Sequence, residues 1–264
     1  MSRISQTFER LRRDKQKALI PFITAGYPDL STTRALIVEF EKCGADLVEL
    51  GVPFSDPMAD GPLIQYASEQ SLSHGTSLDD ILRLVATVRR RTSIPVILMG
   101  YYNPFFKFGL EHFTRKAAQA GVDGVLVVDL PPEEAAEMKR FTDQAGLDLI
   151  FLLAPTSGPG RVDRIVRHAS GFIYYVSLTG VTGVRSTLDR SIRRQIAAIR
   201  RKSTLPIAVG FGISTPEHAR TVARWSDAVV VGSAIIKIIS GCRSAQEKLQ
   251  KTGHFIRTLK KAMQ

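Results

Sequence analysis

The chain is poor in several things that would announce a function. It has two cysteines, Cys43 and Cys242, and one tryptophan in 264 residues. The cysteines have no metal-ligand spacing and the five scattered histidines form no HxxxH pair, which argues against a disulfide scaffold and a structural zinc site alike. No GxxxxGK[ST] is present, and no GxGxxG follows the first apolar run, so the signs of nucleotide hydrolysis and of dinucleotide binding are missing. The N-terminal stretch MSRISQTFERLRRDKQKALI carries Glu9 and Asp14 among its basic residues and has no continuous apolar segment before Ala18. It reads as neither a signal peptide nor a membrane span, and a cytoplasmic protein with no membrane partner is expected.

Acid is also scarce: 25 Asp and Glu against 36 Lys and Arg leave a formal charge of +11. The basic residues cluster at Arg10–Lys17, Arg89–Arg91, Arg190–Lys202 and Arg257–Lys261. In the first, third and fourth clusters they alternate with Leu or Ile at helical spacing, as solvated helix faces do. No aromatic-rich basic stripe accompanies them, so nucleic acid is not the expected partner. The net charge can still attract an anionic substrate.

Hydrophobic residues make up 44% of the chain, enough for a full core. Short, β-branched apolar runs recur at Ala18–Ala25, Asp46–Gly51, Ile94–Tyr101, Gly124–Asp129, Leu147–Ala154, Phe172–Ser177, Pro206–Gly210 and Ala228–Gly232. Most are apolar on both faces, as in a parallel sheet covered by helices. Helical periodicity fills the gaps, for example over Thr32–Cys43, Leu78–Arg90, Leu110–Ala120, Glu133–Ala145 and Leu188–Arg201. The gap after the second run has room for extra helix around Pro62–His74. Gly44-Ala-Asp46, Gly121-Val-Asp123 and Gly146-Leu-Asp148 repeat one pattern, a helix stopped by glycine and a polar lead into a buried strand. Eight such units predict an α/β fold, a TIM (β/α)8 barrel forming one domain over 1–264. Ser2–Arg13 is expected to cap its bottom as an extra helix, and Ser244–Ala262 to close the outer ring. A doubly wound open sheet is the alternative.

In such a barrel the chemistry lies at the C-terminal strand ends. Glu49 sits inside the second apolar run, sharing a face with Leu47 and Gly51. If that face is the interior, burial raises its pKa and suits it to proton transfer near neutral pH. A structural carboxylate tied to a neighbouring amide is the other reading. The next loop, stiffened by Pro53, Pro57, Gly61 and Pro62, carries Asp56, a turn former, and Asp60, which could act in the site or cap a helix. Glycines follow the last three strands in Leu178-Thr-Gly-Val-Thr-Gly183, Gly210-Phe-Gly-Ile213 and Gly232-Ser-Ala234. Such loops let backbone amides approach a phosphate. Lys237 reads as a helical residue rather than a Schiff-base lysine. The residues thus point to proton-transfer chemistry on a phosphorylated small molecule, without a metal or covalent step.

Pro21-Phe-Ile-Thr-Ala-Gly-Tyr-Pro-Asp29 and Glu49-Leu-Gly-Val-Pro-Phe-Ser-Asp-Pro-Met-Ala-Asp-Gly-Pro62 resemble the α chain of tryptophan synthase. So do Met99-Gly-Tyr-Tyr-Asn-Pro104, Asp129-Leu-Pro-Pro-Glu-Glu134, Gly180-Val-Thr-Gly183 and Gly210-Phe-Gly-Ile213. The resemblance covers essentially the whole chain. It implies a barrel that cleaves indole-3-glycerol phosphate, partnered in an α–β–β–α complex by a β chain that holds pyridoxal phosphate. It casts Glu49 as the acid/base, Asp60 as the acceptor of the indole N–H and Tyr174 as a tyrosine beside the reacting ring. Gly183, Gly212, Gly232 and Ser233 would cradle phosphate, and Phe22, Tyr101 and Phe211 would wall the indole pocket. Thr182 would belong to a lid, and Pro53–Pro57, Asn103 and Pro131 would meet the partner. Where the family commonly has Ser-Arg, this chain has Ser177-Leu178. That departure keeps a second expectation open: a barrel that activates the β chain with little or no cleavage of its own.

Overall fold

The apolar runs become strands that close on themselves. The computed structural model describes residues 1–176, 185–210 and 212–264, and the side chains of these except 159 and 185–191. In it β1 (Ala18–Thr24), β2 (Val48–Gly51), β3 (Val96–Gly100), β4 (Gly124–Val127), β5 (Asp148–Leu153), β6 (Ile173–Val176), β7 (Ile207–Gly210) and β8 (Ala228–Val231) form a closed barrel in chain order. Each neighbouring pair is parallel, including β8 with β1.

The two-faced burial of a parallel barrel explains the unbroken apolar runs. Leu19 and Ile23 of β1, Val48 and Leu50 of β2 and Ile173 and Tyr175 of β6 pack outward under the helices. Ala18 and Ile20, Leu47, and Phe172 and Tyr174 fill the interior. The interior is plugged from below by the helix Arg3–Arg13, whose first turn is capped by the Ser2 hydroxyl accepting from the Ser5 N–H at 3.2 Å. Its Ile4, Phe8 and Leu11 are buried against the inner residues, with the Phe8 and Phe172 rings 5.7 Å apart. At the other end of the chain, the helix Ala245–Ala262 packs against the helix Leu30–Lys42 and completes the outer ring.

The Gly-x-Asp repeat acquires a reason. Asp46 accepts the Leu19 N–H at 2.9 Å and Lys260 at 2.6 Å. Asp123 accepts the Val96 N–H at 2.8 Å, Arg89 at 2.5 Å and Arg3 at 2.6 Å. Asp227 does the same for the Ile207 N–H at 2.9 Å and Arg200 at 2.9 Å. In each case a carboxylate at the foot of one strand holds an amide at the start of the strand before it, the first of β3 and β7 and the second of β1, whose Ala18 N–H goes to the Asp227 carbonyl. Val96 and Ile207 directly follow Pro95 and Pro206, so theirs is the first N–H those strands can offer. Asp148 departs from the pattern: it accepts the Ser2 hydroxyl at 2.6 Å, and the Ser170 hydroxyl takes the Leu149 N–H at 2.9 Å.

Two boundaries differ from expectation. Each strand is one to three residues shorter than its apolar run, trimmed at one or both ends where the chain leaves the ladder for its loops. The helix expected from Glu133 starts at Ala136, because Pro131–Ala135 winds as a turn in which the Glu134 N–H meets the Pro131 carbonyl at 3.0 Å. The long gap after β2 does hold a helix, Pro62–Ser73. Among the described residues no helix is long and apolar enough to cross a membrane.

Candidate active site

Alternation along β2 decides the environment of Glu49. With Leu47 inside and Val48 and Leu50 outside, Glu49 faces the interior, between Phe22 on β1 and Ile97 on β3 in the strand register. It is fully buried, and neither carboxyl oxygen has a hydrogen-bond partner among the described residues. The alternative of a structural carboxylate tied to an amide is therefore not what the fold builds. Burial pushes the Glu49 carboxyl up to about 8.

Tyr174 enters from β6 and is also buried in the interior. Burial first, and then the nearby Glu49 charge, hold its hydroxyl well above the usual tyrosine range. The ring lies against Gly210 of β7 so closely that a Cβ there would come within 2.2 Å of the Tyr174 hydroxyl. Glycine at the end of β7 thus makes room for the tyrosine, a role separate from any approach to phosphate.

One pleat higher, a cleft opens between Phe22, Thr24, Gly51, Asp60, Met99 and Tyr101. The loop after β2 brings Asp60 to this cleft. It does not cap the following helix: the cap position is Gly61, which has no side chain to offer, and Pro62 begins the first turn. Burial pushes the Asp60 carboxyl up to about 6, while the Tyr101 hydroxyl opposes the rise. That hydroxyl also accepts the Ala59 N–H at 2.9 Å, which anchors the loop. Burial and the Asp60 charge push Tyr101 itself to about 12. Phe54 packs on the Tyr101 ring at 5.2 Å between centroids. Asp56, by contrast, is exposed in the loop's turn, where it accepts the Ser55 hydroxyl at 2.6 Å.

Phe22 links the acidic side of the mouth to its glycine side. A Cβ on Gly51 would meet the Phe22 ring at 2.6 Å, and one on Gly232 would meet it at 3.2 Å. Gly232 is the cap residue of the short helix Ser233–Ser240, so the first amides of that helix face the mouth unclaimed by the helix itself. Gly212, on the loop after the adjacent strand, has φ +72°, a conformation that favours glycine. Gly212, Gly232 and Ser233 thus sit at neighbouring strand ends. Lys237 lies within the helix Ser233–Ser240, as its spacing suggested. Gly183, Thr182, Leu178 and Phe211 lie outside the described residues. Among the described residues no cluster of His, Cys, Asp and Glu is able to hold a metal.

Thr24 and Met99 are cleft residues that the motifs did not single out. The available signal for Thr24 was parity, since it shares the inward face of β1 with Ile20 and Phe22. Of the residues expected to meet a partner, Asn103 is exposed and Pro131 half-buried, while Pro53 is buried in the fold.

The profile of a family described as "Tryptophan synthase alpha chain" matches residues 8–264. A tryptophan synthase alpha chain from Citrifermentans bemidjiense is 55% identical over 263 residues, covering 100% of this chain and 98% of that one. The alpha chain from Geobacter sulfurreducens is likewise 55% identical, covering 100% and 99%. The crystal structure of tryptophan synthase subunit alpha from Legionella pneumophila superposes with a TM-score of 0.92 at 42% identity, covering 100% of this chain and 98% of that one. A chain of the Mycobacterium tuberculosis tryptophan synthase, in an aminoacrylate-bound form, superposes with a TM-score of 0.87 at 30% identity, covering 98% and 100%.

Proposed function

The chain belongs to the tryptophan synthase alpha chain family, and we propose that Glu49 and Asp60 share the proton handling of its reaction, the cleavage of indole-3-glycerol phosphate to indole and glyceraldehyde 3-phosphate. The observation that carries this reading is the placement of two buried carboxyls, Glu49 on the inward face of β2 and Asp60 in the cleft one pleat above, where burial pushes them up to about 8 and about 6. Near pH 7 the first is a neutral acid and the second an anion, so one site holds a proton donor and a negative charge together.

The protonated Glu49 delivers its proton to C3 of the indole ring. The ring becomes an iminium, and the Asp60 carboxylate stabilises that positive charge through the ring N–H. The bond from C3 to the adjacent carbinol carbon then breaks. Its electron pair returns to the ring, the carbinol oxygen becomes the aldehyde oxygen, and its proton passes to the Glu49 carboxylate. Glu49 ends as it began, so the step balances without an outside acid or base. Phe22, Tyr101 and Phe211 flank the ring, which needs an apolar slot. Tyr174 packs beneath it beside Glu49. Gly183, Gly212, Gly232 and Ser233 receive the phosphate through backbone amides and a helix N-terminus. Thr182 belongs to the loop that closes over the bound substrate.

A β chain partner goes with the family. We assign the complex an α–β–β–α arrangement. The exposed apolar side chains Met58 and Phe106, with Asn103, support contact through the face that bears the mouth. Pyridoxal phosphate belongs in the partner, where it supplies the chemistry that joins indole to serine; each step above uses this chain's own residues. The cytoplasm is the compartment that suits such a biosynthetic enzyme.

Indole release from indole-3-glycerol phosphate, measured with and without the β chain, tests the assignment. Glu49→Gln is expected to lower kcat by at least about a hundredfold. Stimulation of the β reaction with no indole release would instead make the chain an activator.

A further inference from the structure

Thr24 is the last residue of β1, and its hydroxyl oxygen is buried without a hydrogen-bond partner among the described residues. Threonine hydroxyls rotate freely enough to find an acceptor when one is near, so an orphan in a well-formed strand is unusual and costly. Its place makes it more so. Thr24 lies opposite Gly51, one pleat above the Phe22–Glu49 pair, and lines the same cleft as Asp60. Gly51 presents no side chain there that could serve it. The nearby Ser71 hydroxyl is already committed, donating to the Ala25 carbonyl at 2.6 Å.

The orphan donor thus shares a cleft with an undersupplied acceptor. Two influences act on the Asp60 carboxyl, burial against it and the Tyr101 hydroxyl in its favour. The Tyr101 oxygen also receives the Ala59 N–H. Among the described residues the titratable group acting on Asp60 is Tyr101 from the end of β3, with Asp129 acting on Tyr101 in turn, while Glu49 lies one pleat below the cleft on β2. None of these supplies positive charge. A substrate filling the cleft expels water and removes what solvation Asp60 retains, when its anionic form is needed most.

We propose that the Thr24 hydroxyl is a positioning group for the cleavage reaction, donating to the Asp60 carboxylate once substrate fills the cleft. It holds the carboxylate ionised and aimed at the ring N–H. In the free protein the hydroxyl waits unpaired, a small loss of stability kept for the loaded state. This rests on the role given to Asp60 above.

Thr24→Val keeps the branched shape and removes the hydroxyl, while Thr24→Ser keeps the hydroxyl. For Thr24→Val in the complex with the β chain, kcat/KM for indole release is expected to fall about tenfold, the scale of one hydrogen bond to a charged group. The acid limb of its pH profile should move up by about one unit, the same factor read as protonation. Thr24→Ser should recover most of both. Removing an orphan hydroxyl should also raise the Tm of the free chain by about 2–4 °C. A merely structural hydroxyl would give the opposite sign. The same pH shift should appear in the binding of an unreactive indole-alkyl phosphate, which reads Thr24 even if cleavage depends on other residues. An unchanged acid limb in both measurements, or a lower Tm for Thr24→Val that Thr24→Ser restores, would overturn the proposal. A wild-type chain that bound the analogue with the expected pH dependence but released no indole would overturn the catalytic reading instead.

Discussion

Glu49 shows how much one alternation can decide. A carboxyl on the inward face of β2 is sealed by its neighbours, and its titration moves from the usual 4.5 to about 8. The folded chain therefore binds more protons than the unfolded chain between those two values, and stability falls as pH rises through that window. Glu49→Gln removes the liability. Its gain in stability over wild type should be absent below pH 4.5, grow up to about pH 8 and level off above it, reaching a few kcal/mol in denaturant melts. The same pair of carboxyls sets the activity profile. In the proposed mechanism Asp60 loses its proton and Glu49 keeps its own, so kcat/KM should trace a bell with limbs near pH 6 and pH 8. Gly210→Ala offers a third check. The added methyl collides with the Tyr174 hydroxyl, so the tyrosine must shift, and indole release should drop by about tenfold or more even where the barrel still folds.

At the scale of elements, the strand runs were legible because both faces of each strand are buried, and the glycine-stopped helices announced their ends. The helix Arg3–Arg13 was legible from its apolar spacing, and its task follows from where Ile4, Phe8 and Leu11 land. Phe8→Ala should cost about 3–5 kcal/mol, measured by chemical denaturation, since the cavity opens at the plug of the barrel. Glu49 was legible as a charge where an apolar strand should have none. Asp60 was less so, because an acid before Gly-Pro at a helix start has an ordinary use as a cap, and only the observed cap at Gly61 releases it. Thr24 was legible only as an inward-facing position, by its parity with Ile20 and Phe22. A threonine at the end of a strand is common, and only the absence of a partner distinguishes this one. The turn at Pro131–Ala135 was hidden for a different reason, as its acidic residues fit the helical pattern that begins in earnest at Ala136.

Across the whole molecule, the two ends of the barrel have different work. The mouth carries the acids, the glycines and the exposed Met58 and Phe106, and a β chain docking there should raise indole release in a stoichiometric titration. The foot carries Asp46, Asp123 and Asp227, each clasping one of the first two amides of the strand before it and steadied by a lysine or arginine. These carboxylates act as a hoop around the staves of a cask. They fasten the rim that lies away from the proposed site and keep the staves in register beneath it. Amide exchange should record the division, slowest at Leu19, Val96 and Ile207 and progressively faster toward the open end.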